Sequence, residues 1–476
     1  MKKSRIVFRL TLLLTISSLS ACVSPVQLKK ENKSVPDRFS QSSDSTNSAK
    51  MKWHEFFKDP NLISLIEVAL QNNQELNITL QEINIAKNEV RGRSGAYLPF
   101  VNGGAETGVE KVAKYTSQGA SDDRSEITEG KKVPAVLPNS MFGVNMSWEV
   151  DIWRKLRNSK NAAVSRYLGS IEGKNFMVTN LIAEIANSYY ELMAYDNQLE
   201  ILKRNIEIYQ NSLQIVKLEK ESARTTELAV RRFEAEVLKN QSRQYHINQE
   251  ITEIENRINF LVGRFPQPVA RSSESFSELV SDTLFPGIPS QLFSNRPDIR
   301  QAEQDLAATK LNVAAARANF YPTLFITAGL GYQAFNPQYL LKTPESMIFS
   351  AVGGLVAPIL NRNAIKAEYY SAGARQIQAV YNFERSILNA HIEVANQLAY
   401  MNNLAKSYNI KAKQVETLTQ SINISTTLFR SARADYMEVL LTQRDALEAR
   451  FELVETKMLQ LNTRVNLYRA LGGGWN

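Results

Sequence analysis

The sequence predicts a transmembrane β-barrel shared between copies of the chain and joined to a long α-helical barrel, with each chain internally duplicated. Three observations predict it. Asn72 to Pro99 returns 223 residues later as Asn295 to Pro322. Two stretches of about 70 residues lack proline and carry apolar residues at heptad spacing. Four stretches of about ten residues switch to a period of two, the length and pattern of strands with lipid on one face and water on the other. A duplicated unit of this size lies far above the roughly 20–50 residue period of solenoids, so it reads as one body with two-fold pseudosymmetry.

Later markers of the repeat return at a shorter offset. Asp151-Ile152-Trp153 pairs with Pro358-Ile359-Leu360, and Ser222-Ala223-Arg224 with Ser431-Ala432-Arg433. The offset changes between Pro99 and Asp151, where the first half carries a longer charged loop.

Residues 1–21 read as a signal peptide. Lys2, Lys3, Arg5 and Arg9 form its positive end, Leu10 to Ile16 its apolar core, and Leu19-Ser20-Ala21-Cys22 matches the bacterial lipobox, with Cys22 the lipidated first mature residue. Val23 is compatible with outer-membrane sorting. Removal of the signal takes four of the 56 Lys and Arg, leaving 52 against 48 Asp and Glu, so the basic precursor is no argument for nucleic acid. A lone cysteine excludes disulfides within the chain. His54, His246 and His391 are scattered, so no His/Cys metal cluster is expected. Residues 22–60 read as a tether and entry segment, polar and aperiodic over 30–50.

A helix is expected over 61–98 and a β-hairpin over 99–150. In that hairpin Val101 to Val109 pairs with the stronger strand in which Phe142, Val144, Met146, Trp148 and Val150 alternate with Met141, Gly143, Asn145, Ser147 and Glu149. Residues 151–262 hold a long helix to about Glu221, roughly 105 Å at 1.5 Å per residue, and a shorter one over Glu227 to Val262. A proline-rich connection spans 263–291. The second half repeats the order: a helix over 292–321, a hairpin over 322–357 in which Leu324 to Tyr332 alternates and Ile348 to Val356 is its partner, then helices over 358–471 and a tail, 472–476. Each chain thus contributes four strands and two long plus four shorter helices. In each half the two shorter helices together match the long one in length and can cover its seam.

Four strands cannot close a cylinder, and an open sheet edge in hydrocarbon leaves N–H and C=O groups unpaired. Several copies must share one barrel. Two give eight strands and three give twelve, and the wider barrel is the one that leaves an aqueous lumen.

This combination resembles the outer-membrane efflux proteins of the TolC type, and more closely the lipoprotein branch that partners resistance-nodulation-division pumps. The resemblance rests on the lipobox, Trp53-His54-Glu55-Phe56-Phe57-Lys58-Asp59-Pro60, Trp148-Glu149-Val150-Asp151-Ile152-Trp153, Asn295-Arg296-Pro297-Asp298-Ile299, Ala357-Pro358-Ile359-Leu360-Asn361 and the terminal Ala470-Leu471-Gly472-Gly473-Gly474-Trp475, and it covers nearly the whole chain. It implies a homotrimer with a twelve-stranded barrel in the outer membrane, a twelve-helix tunnel across the periplasm and an equatorial belt built from residues after Cys22, the 263–291 connection and the C-terminus. It also implies a periplasmic adaptor protein and an inner-membrane resistance-nodulation-division transporter as partners, with passive export of drugs or other small molecules. Adaptor contact is expected at the tips carrying Ser222, Arg224, Ser431 and Arg433. Two departures stand out: Arg154 follows Trp153 where the family usually has glycine, and neither tip turn contains glycine.

A conduit has no chemical step, and the sequence holds neither a GxxxxGKS/T phosphate loop nor a recognisable catalytic dyad, so no cofactor is expected. The gate candidates are Asp435 and Glu438, three apart at the start of the last helix and so on one face. Glu438 falls where the family carries a constriction aspartate, Leu441 replaces the second one, and Asp435 matches an aspartate of the lipoprotein branch. Arg231 and Arg232 are candidate partners. Trp148, Tyr321 and Tyr332 are candidate membrane-interface aromatics. The alternative readings are the outlet of a metal-efflux or type I protein secretion system, and a lipid-anchored coiled-coil structural protein that transports nothing.

Overall fold

The computed structural model describes residues 25–39, 46–279, 284–359, 362–431 and 433–475. The expected signal peptide, Cys22, Leu360, Asn361 and Ala432 lie outside the described residues. The main elements are α1 (Pro60–Asn72), α2 (Gln74–Gly95), β1 (Phe100–Glu110), β2 (Leu137–Val150), α3 (Lys155–Glu221), α4 (Glu227–Val262), α5 (Pro297–Ala318), β3 (Thr323–Ala334), β4 (Met347–Val356), α6 (Asn363–Arg430) and α7 (Tyr436–Ala470). Helix, hairpin, long helix and shorter helix follow in the same order twice. Among the described residues no helix is long and apolar enough to cross a membrane. The chain divides into a sheet unit (Met1–Lys30, Ile85–Tyr167, Asp305–Val380) and a helical unit (Glu31–Asn84, Leu168–Gln304, Tyr381–Asn476).

The sheet unit is built on one antiparallel sheet of order β1-β2-β3-β4. Its register carries the alternation of β2 and β3 to the same face. Val144 lies opposite Gly103 and Leu330, and Leu330 opposite Phe349. Phe142, Val144, Met146, Trp148, Leu324, Ile326, Leu330 and Leu355 therefore share one apolar face. Asn102, Glu106, Asn145, Ser147, Glu149, Thr327 and Ser350 share the other, which is glycine-rich and mixed, with Phe325 and with Ile348, Val352 and Val356 of β4 among them. There Gly143 and Gly331 face each other, and a Cβ on either would meet the opposite backbone closer than 3.0 Å, so the strands approach where no side chain fits.

Several boundaries differ from expectation for local reasons. The 111–139 segment is not plain loop: it holds a helical turn, Ser117–Asp122, and a small hairpin, Glu126–Thr128 with Lys131–Lys132, and β2 already starts at Leu137. α3 begins at Lys155 rather than Asp151 because the Asp151 carboxylate is used to cap it, accepting from the N–H groups of Leu156 (3.0 Å) and Arg157 (2.9 Å). Arg154, in the turn, takes φ +60°. α6 starts at Asn363 rather than Pro358.

In the helical unit the heptad-spaced apolar residues of α3 turn inward: Ile182, Ile185, Tyr189, Leu192, Leu202, Ile206, Tyr209, Leu213 and Val216 are buried and Leu199 is half-buried. Leu202 and Ile206 pack with Ile247 of α4 and with Leu447 and Phe451 of α7. The heptad-spaced Val415, Leu418 and Ile422 of α6 are only half-buried in the single chain. The helix expected over 61–98 is two helices, broken at Asn73, and that expected over 292–321 is a short turn, Leu292–Asn295, plus α5, broken at Arg296. Asp59 caps α1 by accepting from Asn61 N–H, and its other oxygen accepts from the hydroxyl of Tyr189, 2.7 Å away. Burial, and then Asp59, raise the pKa of that phenol.

The expected tether is docked where it is described. In the sheet unit Val26 packs on the Phe320–Tyr369 cluster, and Lys29 exchanges two hydrogen bonds with Gln376. In the helical unit Lys33 pairs with Glu303 at 2.7 Å, and Phe39 stacks on His391. The 263–291 connection is held by Arg271, which binds Asp196 and Glu255, and Asn47 bridges to Pro286 while the Tyr468 hydroxyl donates to Met51 O. Residues near the N-terminus, the connection and the last helix thus meet in one place.

Candidate gate and docking tips

Both turns at issue lie in the helical unit. α3 ends in a Schellman turn: Arg224 N–H donates to Glu219 O (2.8 Å), Ala223 N–H donates to Lys220 O (2.9 Å), and Ala223 sits at φ +55° in the left-handed region. Thr226 then caps α4 through Ala229 N–H. The second tip copies the first 209 residues on. Arg433 N–H donates to Leu428 O (2.9 Å), and Asp435 caps α7 by accepting from Met437 N–H at 3.2 Å. Ser222 and Ser431 each return a hydroxyl hydrogen bond to the helix they end, to Leu218 O and Thr427 O. Ser222, Arg224, Ser431 and Arg433 are all exposed. A small core supports both turns: Tyr209, Leu213 and Val216 pack with Val230, Phe233 and Leu440, and Phe429, Tyr436 and Met437 close over them.

Asp435 and Glu438 are exposed, but Asp435 is not helical as expected. It is the N-cap, and Glu438 is the third helical residue, the arrangement that puts two carboxylates at the positive end of the α7 dipole. Within the single chain the candidate partners Arg231 and Arg232 bind other groups. Arg231 is held by Glu227 (2.8 Å) and Glu234 (3.0 Å) on its own helix, where i−4 and i+3 neighbours are nearest. The hydrogen bond to Glu234 and the charge of Glu227 raise its pKa, while the hydrogen bond from Lys220 lowers that of Glu227. Arg232 does reach the start of α7, donating to Met437 Sδ at 3.0 Å, next to the candidate acids but not to them.

Two clusters escaped the sequence reading. Arg271 with Asp196, Glu255 and Ser273 fastens the connection; nothing in its spacing marks it. Arg296 is buried and binds Asp298 (2.8 Å), Glu393 (2.8 Å) and Ala470 O (2.8 Å). Its signal was Pro297, which favours the first position of a helix and so marks the break before it.

A four-stranded antiparallel sheet with one apolar face, in a chain that also carries two long helical hairpins, defines the channel class of protein. The chain matches the family model described as Outer membrane efflux protein over residues 65–264 and 288–473, and it belongs to that family. It is 26% identical over 463 residues to the cation efflux system protein CusC of Escherichia coli O6:H1, covering 96% of this chain and 97% of that one. It is also 26% identical over 426 residues to the solvent efflux pump outer membrane protein SrpC of Pseudomonas putida, covering 89% and 88%. A crystal structure of CusC superposes with a TM-score of 0.81 at 25% identity, over 95% of this chain and all of that one. The chain is an outer-membrane efflux channel and not an enzyme.

Proposed function

We propose that three copies of this chain close one twelve-stranded barrel in the outer membrane and one helical tunnel in the periplasm. The mature chain is anchored by lipid on Cys22 and serves as the passive outlet of a pump that exports drugs or other small molecules. The single observation that carries this is the sheet: β1 and β4 each leave one edge unpaired, yet one face is apolar. A stripe on α6 supports it. Tyr381, Leu388, Ile392, Ile410 and Ile424 are 46–69% exposed and fall within about 40° of one another at 3.6 residues per turn, an apolar face turned toward another copy.

Disulfide trapping tests the copy number. Cysteines introduced on β1 and β4 lie at opposite edges of the chain's own sheet, beyond the roughly 7 Å Cα limit of a disulfide, so any bond joins two copies. Scanning Asn102→Cys against positions 350–354 is expected to give covalent trimers on denaturing gels. Covalent dimers would favour the eight-stranded alternative, and a detergent-free soluble monomer would sink the reading.

The tips carrying Ser222, Arg224, Ser431 and Arg433 are the surface offered to a periplasmic adaptor, which couples the outlet to an inner-membrane resistance-nodulation-division transporter. Asp435 and Glu438 repeat three times around the aperture, and rings of acid favour cations. Asp435→Asn with Glu438→Gln removes the charge while keeping a capping side chain. Conductance in planar bilayers is expected to rise and cation preference to fall. If neither changes, the acids do not form the gate. Metal export is the second reading, favoured by the cation-efflux relative.

A further inference from the structure

The two ends of the sheet differ in charge. The segments beyond its distal end, 111–136 and 335–346, hold six Lys or Arg against five Asp or Glu, whereas the strand-to-helix joints taken with the adjoining helix ends, 91–98, 151–160, 317–322 and 357–366, hold nine against one. Resting on the reading that the apolar face lies in a membrane, we propose that this helix-side collar binds the anionic headgroups of phospholipids in the periplasmic leaflet.

The placement of two cations carries the argument. Trp148 lies on the apolar face and donates its indole N–H to Tyr97 O at 3.0 Å, and Lys160 Nζ stands 5.6 Å over the Tyr97 ring. Arg362 stacks 5.1 Å over Phe320 and donates to its carbonyl, and Phe320 belongs to the cluster that also receives Val26. Val26 is four residues from Cys22, so the attachment point of the proposed lipid is at most about 14 Å of chain away. Lys160 and Arg362 therefore sit on the membrane side of the chain. Lys155 does not, because it pairs with Glu149 on the other face. Leu98, Ile152 and Trp153 are exposed at the same level, and Trp153 stacks on Tyr321. Apolar and aromatic groups bordered by lysine and arginine suit the headgroup boundary, where each cation strengthens attraction to anionic lipid. Arg154 and Arg157 extend the collar, Arg157 with one face on Asp151.

The test uses the full mature chain purified in detergent. Native mass spectrometry with added phosphatidylglycerol, phosphatidylcholine or inorganic phosphate is expected to show preferential retention of phosphatidylglycerol, weakened about five-fold per charge removed in K160Q/R362Q. The charge-preserving K160R/R362K is expected to retain it, and raising salt on the unsubstituted protein is expected to erase it. Equal retention of both lipids, an unaffected K160Q/R362Q, or displacement of the lipid by inorganic phosphate overturns the proposal. The same samples are reconstituted in each lipid. Conductance in both, with equal lipid retention, sinks this inference alone, while no conductance in either sinks the channel reading with it.

Discussion

The helical unit solves one joint twice, once with a neutral side chain and once with a charge. At the first, α1 breaks into α2 at Asn73, whose Nδ2 donates to Leu261 O (2.9 Å) while its Oδ1 accepts from Leu76 N–H (2.9 Å). At the second, the helix breaks into α5 at Arg296, 223 residues later, and the guanidinium donates to Ala470 O. Both donors are buried, at 4% and 6% exposure. Each joint is closed by a glycine with positive φ, Gly263 at +78° and Gly472 at +91°, packed against the carbonyl of Asn72 or Asn295. The backbone demand is therefore common to both halves: a left-handed residue, and a donor for the last carbonyls of the returning helix. The charge is not part of that demand. Where it is present it needs counter-charges, and Asp298 and Glu393 supply them, with Arg469 on the other oxygen of Glu393. Burial alone pulls the Arg296 pKa down, but the hydrogen bonds and charges of Asp298 and Glu393 outweigh it and the net shift is upward, so the residue stays charged.

The largest expected effect falls on what the joints share. Gly263→Val and Gly472→Val each force a β-branched residue into the left-handed region and place a Cβ against a carbonyl closer than 3.0 Å, costing about 4 kcal/mol. Thermal unfolding followed by circular dichroism is expected to show equal losses, and a tolerant half would break the equivalence. Next come the donors. Arg296→Met takes a partner from two half-buried acids, of which Glu393 keeps Arg469, and leaves the Ala470 carbonyl without its donor, about 3 kcal/mol, whereas Asn73→Ala removes one cap and one donor, about 2 kcal/mol. Adding Asp298→Asn and Glu393→Gln to Arg296→Met is expected to recover part of the loss. No recovery would mean that the arginine acts through packing and not through its charge.

These joints also show where the sequence was readable. Period-two alternation was clearest in β2 and β3, whose apolar residues the register collects on one face, and weakest in β4, which carries Ile348, Val352 and Val356 on the face opposite Phe349 and Leu355. The repeat itself was visible, yet its most constrained positions were not read as breaks, since apolar spacing continues through Asn73 and hid its capping role. Asp435 was singled out for its charge, while its place before α7 made it a cap. Arg271 and the docked residues 25–39 were illegible for another reason: their partners, Asp196, Glu255, Gln376 and Glu303, are remote in sequence, and no periodicity encodes such pairs.

The smallest effect sharpens the comparison at the tips. Gly263 and Gly472 meet the left-handed demand with glycine, but Ala223 meets the same demand at φ +55° with a methyl group. That conformation costs an L-residue about 1–2 kcal/mol, and replacing alanine by glycine returns about 0.4–1 kcal/mol of unfolded-chain entropy against the gain. Ala223→Gly is therefore expected to stabilise the tip by a few tenths to about 1 kcal/mol. Hydrogen exchange of the Ser222 and Arg224 amides reads this locally, and slower exchange is the expected result. Unchanged or faster exchange would show that the α3–α4 turn is held by the Tyr209–Phe233 core beneath it and not by its own backbone. In that case the absence of glycine from the tip carries no cost, and Ala223 is a free choice in the way the charge at Arg296 is.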